Sequence, residues 1–260
     1  MSEANAKEGS RRIPLAVLGS DEAERQRLAG RIRALGVGET RFGRHDRMLY
    51  ATDASIYQVE PIGVVVLGST DGVQPLLRLC ASEGLPVLPR GGGTSLAGQC
   101  VNRAVMLDFG AHCRGVLEVD AAAMTARVEP GVTLDQLNAA LAPKGLFFGP
   151  DVATSSHATL GGMIGNNSAG AHSILYGRTV ENLVALEVAF ADGSVHRLEE
   201  GSCDRDPAQR AIAERLATIV RPIAQEIRAR FPRILRHVDG YSLDILLEQL
   251  ERSTPGTFDK

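Results

Sequence analysis

The stretch Pro89–Gln99, PRGGGTSLAGQ, decides how the rest of the chain is read. Three consecutive glycines, then Thr94, Ser95 and Gly98, give a backbone that bends tightly and lets a ligand approach closely. Successive amides in such a loop form a concavity suited to phosphate oxygens, and Arg90 places a positive charge at its entrance. A plain flexible turn is the competing reading, because glycines also punctuate ordinary loops.

Upstream, IGVVVLGS from Ile62 is a continuous β-branched apolar run, the pattern of a strand covered on both faces. Val73, Leu76, Leu77 and Cys80 then fall at helical spacing, with Ser69 or Thr70 as cap and Gly84 as terminator. LPVLPR is the next strand, so strand, helix and strand form a βαβ unit and the glycine loop leaves its second strand. Farther upstream, Asp21 to Leu35 reads as a short amphipathic helix closed by Gly36. It is an appendage within residues 1–45, behind a polar, mobile opening over 1–12. RHDRMLYATDASIYQVEP shows no period and reads as a connector.

Downstream, AVMLDF reads as a strand, and VLEVD and TARVEPG as a hairpin pair. Thr133 and Gln136 form a capping box ahead of Leu134, Leu137 and Leu141, with Gly145 closing that helix. GPDVATSSHATLGGMIGNNSAGAHSILYG follows, a long stretch rich in glycine, serine and asparagine. Its scattered apolar residues favour an ordered, ligand-lining path over disorder. LVALEVAF and SVHRL flank Asp192-Gly193, a hairpin signal. Asp206 and Pro207 open a long helix with Ile212, Leu216, Ile219, Ile223 and Ile227 on one face and a kink at Pro222. The ending, GYSLDILLEQLERSTPGTFDK, starts another element without a closing feature, as a fragment would.

Composition narrows the function classes. The 260 residues are 44% apolar, enough for a substantial core. A net charge of -3, 4% aromatic residues and no Trp argue against nucleic-acid binding. The four cysteines show no metal-ligand spacing and read as reduced thiols, and no apolar run reaches the roughly 20 residues of a membrane helix. A cytoplasmic setting is the expectation.

Two familiar phosphate motifs fail on inspection. Gly93 to Gly98 has P-loop spacing, but Gln99 and Cys100 stand where Lys and Ser or Thr are needed. Leu96 occupies the third glycine position of a dinucleotide fingerprint, and no helix pattern follows. Two separated segments of small and hydroxyl residues instead suit a long ligand such as FAD.

In motif and order, PRGGGTSLAGQ, VEPGVTLDQLNAAL, GPDVATSSHATLGGMIGNNSAG, SILYGRTVENL and VAFADGS resemble the FAD-binding domain of vanillyl-alcohol-oxidase-type flavoproteins. Within that class the motifs resemble those of the D-lactate, glycolate and D-2-hydroxyglutarate dehydrogenases, including fusions with an iron–sulfur region. The resemblance implies an α+β, PCMH-type FAD-binding fold of two subdomains, about 46–110 and 111–260, the second incomplete. It also implies oxidation of a 2-hydroxy acid by hydride transfer to FAD, followed by electron transfer to a further acceptor. A flavin-binding module without independent catalysis is the alternative.

By motif position the resemblance assigns Arg90, Gly91, Gly92, Gly93, Thr94, Ser95 and Gln99 to the pyrophosphate loop. Pro150, Asp151, Thr159, Gly162, Asn166, Ser168 and Gly170 go to the second cofactor segment. Some relatives attach FAD through a histidine near the glycine loop; Thr94 follows the glycines here, so non-covalent FAD is expected. A Gly92→Asp change is expected to abolish FAD retention while leaving the fold largely intact. His157, His172, Tyr176 and Arg178 each admit a structural or a cofactor-supporting role, Cys100 reads as a small buried residue, and no base is assigned. The family continues into a GSEG-type segment and a substrate-binding cap with metal ligands, neither of which these residues contain.

Overall fold

The computed structural model describes residues 22–234 and 241–252. The polar opening over 1–12, Asp21 and the closing residues 253–260 lie outside the described residues.

The first layer is a four-stranded sheet with helices against it. Helix α1 (Glu22–Ala34) leads into strand β1 (Gly38–Arg41), then α2 (Arg44–Leu49), β2 (Gly63–Leu67), α3 (Val73–Ser82), β3 (Val87–Arg90) and β4 (Val105–Asp108). The order across the sheet is β1-β2-β4-β3, with β1 antiparallel to β2 and the other pairs parallel. The βαβ unit is therefore split, because β4 lies between its two strands. This register sets Arg90 opposite Asp108 at the carboxyl ends of β3 and β4, where open parallel sheets place their ligands.

Every residue of β2 is buried, as its unbroken apolar run requires. Val65 and Leu67 enter one core cluster with Leu76, Leu77 and Cys80 of α3, while Val64 and Val66 join Met106, Tyr50 and Leu88 on the other side. The first cluster also contains Leu28, Ala29 and Ile32. The helix expected as an appendage thus packs into the first layer, and β1 extends its sheet. The expected Ser69 or Thr70 cap is replaced by a 3-10 turn, Thr70–Gly72, and Ser69 makes no side-chain cap bond.

The second half carries its strands as two separate hairpins. β5 (Val116–Asp120) pairs with β6 (Thr125–Val128), and after α4 (Leu134–Leu141), α5 (Leu160–Gly165) and α6 (Ser173–Tyr176), β7 (Ala185–Ala189) pairs with β8 (Val195–Glu199). The capping box is present on α4: Thr133 accepts from the Gln136 amide and Gln136 accepts from the Thr133 amide. Val132, Leu137, Leu141 and Leu160 form a core against the β5–β6 hairpin, which fastens α5 and its flanking loops to that hairpin.

Three further helices precede the end: α7 (Ser202–Arg205), α8 (Pro207–Val220) and α9 (Ala224–Arg230), with α10 (Leu243–Arg252) after them. Asp206 caps α8 through the amides of Ala208 and Gln209. Pro222 interrupts the helix as expected, through a 3-10 turn at Arg221–Ile223. The buried face differs from the expected one. Ala213, Ala217, Val220 and Ile227 face inward, whereas Ile212, Leu216, Ile219 and Ile223 are 38–62% exposed. Small alanines permit close approach, and the larger side chains are left outside.

Candidate functional site

The glycine loop begins where β3 ends. Its neighbours explain its composition first. A Cβ on Gly91 would lie 2.0 Å from Thr159 Oγ1, and one on Gly92 would lie 2.0 Å from the His157 carbonyl oxygen. The loop therefore lies directly against the segment that precedes α5, and only hydrogen at these α-carbons permits the contact. The expectation that Gly92→Asp would spare the fold is corrected by this geometry, since the new Cβ would meet backbone before any charge mattered.

At Gly93 the chain takes a left-handed conformation, φ +66°. Among the described residues, no protein acceptor takes the amides of Gly92, Gly93 and Thr94, while the Ser95 amide faces the Cys100 thiol. Consecutive unpaired amides beside a left-handed residue are a nest for an anion. Burial pushes the Cys100 thiol up.

A chain of side-chain contacts joins the two predicted segments. Ser95 donates to Gln99, Gln99 Nε2 donates to Asn166 Oδ1 at 3.1 Å, and Asn166 Nδ2 donates to Ser168 Oγ at 3.2 Å. Thr159, only 3% exposed, caps α5 through the Gly162 amide. This segment is stitched to the second half by Leu134 N to Ala158 O at 3.1 Å, Leu160 N to Val132 O at 2.8 Å and Gly161 N to Pro130 O at 2.9 Å. Seven predicted residues, Gly91, Gly92, Ser95, Gln99, Thr159, Asn166 and Ser168, are thereby brought together, and Gly93, Thr94 and Gly162 lie between them in the chain.

Pro150, Asp151 and Gly170 stand farther along. Pro150 is buried, and the backbone of Gly170 packs on Asp151, whose carbonyl oxygen a Cβ would approach to 2.0 Å. Asp151 accepts from the His172 amide at 2.9 Å and meets His172 Nδ1 at 2.5 Å. The His172 amide, then its ring, hold the Asp151 carboxyl below the usual carboxylate range. His157 Nδ1 meets Ser156 Oγ at 2.8 Å. Tyr176 packs edge-on against Phe147 with ring centroids 5.2 Å apart, and Arg178 pairs with Glu181 at 2.5 Å.

Arg90 was expected at the loop entrance, facing phosphate. Its guanidinium turns back instead: Nη1 donates to Tyr50 O at 3.2 Å and Cys100 O at 3.1 Å, and Nη2 to Thr52 O at 2.8 Å. The residues missed from sequence belong to the supposed connector. Ala54 N donates to Gly93 O at 3.0 Å, Asp53 Oδ2 accepts from Cys100 N at 3.2 Å, and the Tyr57 ring fills the space beside Gly98. The run YATDASIY thus forms a wall of the loop. Its recurrent polar and aromatic residues between charged ones were the available signal, without a period to announce it.

Comparison with known proteins decides the family. A profile described as an FAD binding domain matches residues 61–199, more than half of the chain.

The chain belongs to this FAD-binding family.

Its relatives include the D-2-hydroxyglutarate dehydrogenases of Pantoea ananatis, 36% identical over 223 residues, and of Escherichia coli, 34% identical over the same length. Each alignment covers 79% of this chain but 21% of the relative, so the chain spans about a fifth of their length. Glycolate oxidase subunit GlcD of Bacillus subtilis is 37% identical over 154 residues, 58% of this chain and 33% of that one. Among solved structures, p-cresol methylhydroxylase with substrate bound aligns at TM-score 0.60 and 21% identity, covering 68% of this chain and 36% of its own. That likeness establishes the PCMH-type FAD-binding fold. The glycine loop and the α5 segment both lie within the matched FAD-binding domain. No helix among the described residues is long and apolar enough to cross a membrane.

Proposed function

We propose that this FAD-binding domain serves a flavin-dependent oxidoreductase that oxidises a 2-hydroxy acid of the D-lactate, glycolate or D-2-hydroxyglutarate class. The observation that carries the reading is the run of unpaired amides Gly92–Thr94 at the carboxyl end of β3, held against the α5 segment. Dinucleotide pyrophosphate is the anion that such a nest suits when a second binding segment lies alongside. The names of the relatives, D-2-hydroxyglutarate dehydrogenase and glycolate oxidase subunit, support the substrate class.

When bound, FAD supplies a hydride acceptor. This chain's own residues hold and orient it. Gly91, Gly92, Gly93, Thr94 and Ser95 present backbone and hydroxyl groups to the pyrophosphate, with Gln99 joining them to Asn166 and Ser168. Thr159 and Gly162 set the start of the second segment, and Pro150, Asp151 and Gly170 shape its far end. Thr94, not a histidine, follows the three glycines, and FAD is held without a covalent bond. The acid enters through a cap outside these residues, with electrons leaving to a separate acceptor. The setting is cytoplasmic, in keeping with four free cysteines.

The second reading is a flavin-binding module without catalysis of its own. One experiment separates the two. The purified chain is expected to be yellow after FAD addition and gel filtration, and acid precipitation is expected to release the flavin into the supernatant. Anaerobic bleaching by D-lactate, glycolate or D-2-hydroxyglutarate supports the enzyme, whereas a yellow, unresponsive chain supports the module. A colourless chain that takes up no FAD overturns both.

A further inference from the structure

Arg90 is the charged residue nearest the glycine loop, yet every side-chain hydrogen bond it makes is to a backbone carbonyl: Tyr50, Thr52 and Cys100. These carbonyls come from two separate stretches, one before β2 and one just past the loop itself. The guanidinium also lies over the Tyr50 ring, 5.4 Å from its centroid. The loop is also close, because a Cβ built on Gly93 would fall 2.6 Å from Nη2 and 3.1 Å from Cζ. The guanidinium thus neighbours both an aromatic ring and the left-handed turn.

The platform beneath is itself fixed. Tyr50 Oη donates to Asp108 Oδ2 at 2.5 Å, and Asp108 Oδ1 accepts from Gly110 N at 2.7 Å. Asp108 is the β4 residue registered opposite Arg90. Asp53, beside the same guanidinium, binds the amides of Ser55 and Cys100. Both ends of the glycine loop therefore terminate on one cluster: Arg90 at its start, Cys100 at its finish and the Thr52–Ala54 backbone beside its middle. A planar fork with several fixed donors can serve three carbonyls at once, which a lysine ammonium cannot do with the same geometry.

We propose that Arg90 is a positioning residue, which clamps the glycine loop from beneath so that the amides of Gly92–Thr94 stay aimed at the ligand, and which makes no contact with the phosphates itself. The functional meaning of the clamp rests on the FAD reading above; the clamp does not. Tyr50 and Asp108 act in the same device, so their removal is expected to reproduce part of the loss of Arg90.

The test uses the whole chain in two states. Hydrogen exchange on the FAD-free protein is compared for the parent, Arg90→Met, Arg90→Lys and Tyr50→Phe. Exchange at the bonded amides of Ala54, which donates to Gly93 O, and of Cys100, which donates to Asp53, is expected to accelerate about tenfold or more in both Arg90 variants, and less in Tyr50→Phe, with β2 and β4 unchanged. FAD titration is expected to show a dissociation constant raised about tenfold in Arg90→Met, no rescue by lysine, and a double variant with Tyr50→Phe no worse than Arg90→Met alone. Unchanged exchange at the Ala54 and Cys100 amides in a folded variant overturns the proposal, as does acceleration spread equally over β2 and β4. Additive FAD losses in the double variant also overturn it. If Arg90→Met does not fold, Tyr50→Phe decides by the same readouts. A parent chain that binds no FAD defeats the FAD reading, while exchange in the FAD-free protein still decides the clamp.

Discussion

At Gly92 the space that would hold a side chain is occupied by the carbonyl of His157, 2.0 Å from where a Cβ would stand. Loops that bind phosphates are glycine-rich so that ligand can approach, but here the α5 segment has already claimed that approach on one side. A methyl group suffices to test this. Gly92→Ala is expected to push the glycine loop away from His157 and to destabilise the chain by about 1–3 kcal/mol, the usual cost of overpacking a tight contact. It should weaken FAD binding at the same time, whereas a glycine needed only for ligand approach would lose affinity with the urea midpoint unchanged. Paired urea melts and FAD titrations distinguish the cases. The sequence shows three glycines and cannot show what presses on each of them, because His157 lies 65 positions farther along the chain.

Elements were legible wherever a local signal sufficed. The buried run of β2, the capping box of α4, the Asp-Gly hairpin and the Asp206-Pro207 helix start all rest on residues within a few positions of one another. The face of α8 was not legible, since two faces of that helix carry apolar residues and tertiary packing chooses between them. The side lined by Ala213 and Ala217 is inward, and Val220 joins Ile227 and Leu247 in a core shared with α9 and α10. Two substitutions should therefore rank opposite to their hydrophobicity. Ala217→Leu, at a site 7% exposed, adds volume to a closed contact and should cost about 1–3 kcal/mol. Ile219→Lys, at a site 62% exposed, should change stability by no more than about 0.5 kcal/mol. Chemical denaturation of both variants checks the order, and a larger loss for Ile219→Lys would restore the face expected from spacing.

For the molecule as a whole, the site exists because two halves with separate cores press their loops together. β3 and β4 present the glycine loop from the first layer, while the β5–β6 hairpin and α4 carry the segment of Thr159 and Asn166 from the second. The run from Arg44 to Pro61 completes it by backbone bonds across long separations, such as Ala54 to Gly93, and such bonds leave no period in sequence. Carboxylates tie together the second half and its margins in a similarly dispersed way, which makes acid a probe of the assembly. Glu181 is held below the usual range first by its bond from Arg178, and Asp206 first by its bond with His196 and then by the α8 amides. Asp151 is lowered first by the His172 amide. Each has a folded value below its unfolded one, so its contribution is fully present above the ordinary carboxylate range near pH 4 and is lost as pH falls through the folded values. The urea midpoint is accordingly expected to stay level between about pH 8 and 5.5 and to fall steadily below about pH 4. Glu181→Gln should start from a lower midpoint at neutral pH and show a shallower acid decline, having lost one of the groups that titrates. Raising the salt should shrink the part owed to exposed pairs, since their attraction is screened within about 10 Å at 0.1 M. A midpoint that climbs on acidification from pH 5 to 3 would mean that the unfolded chain, not the folded one, holds these carboxylates in their charged form.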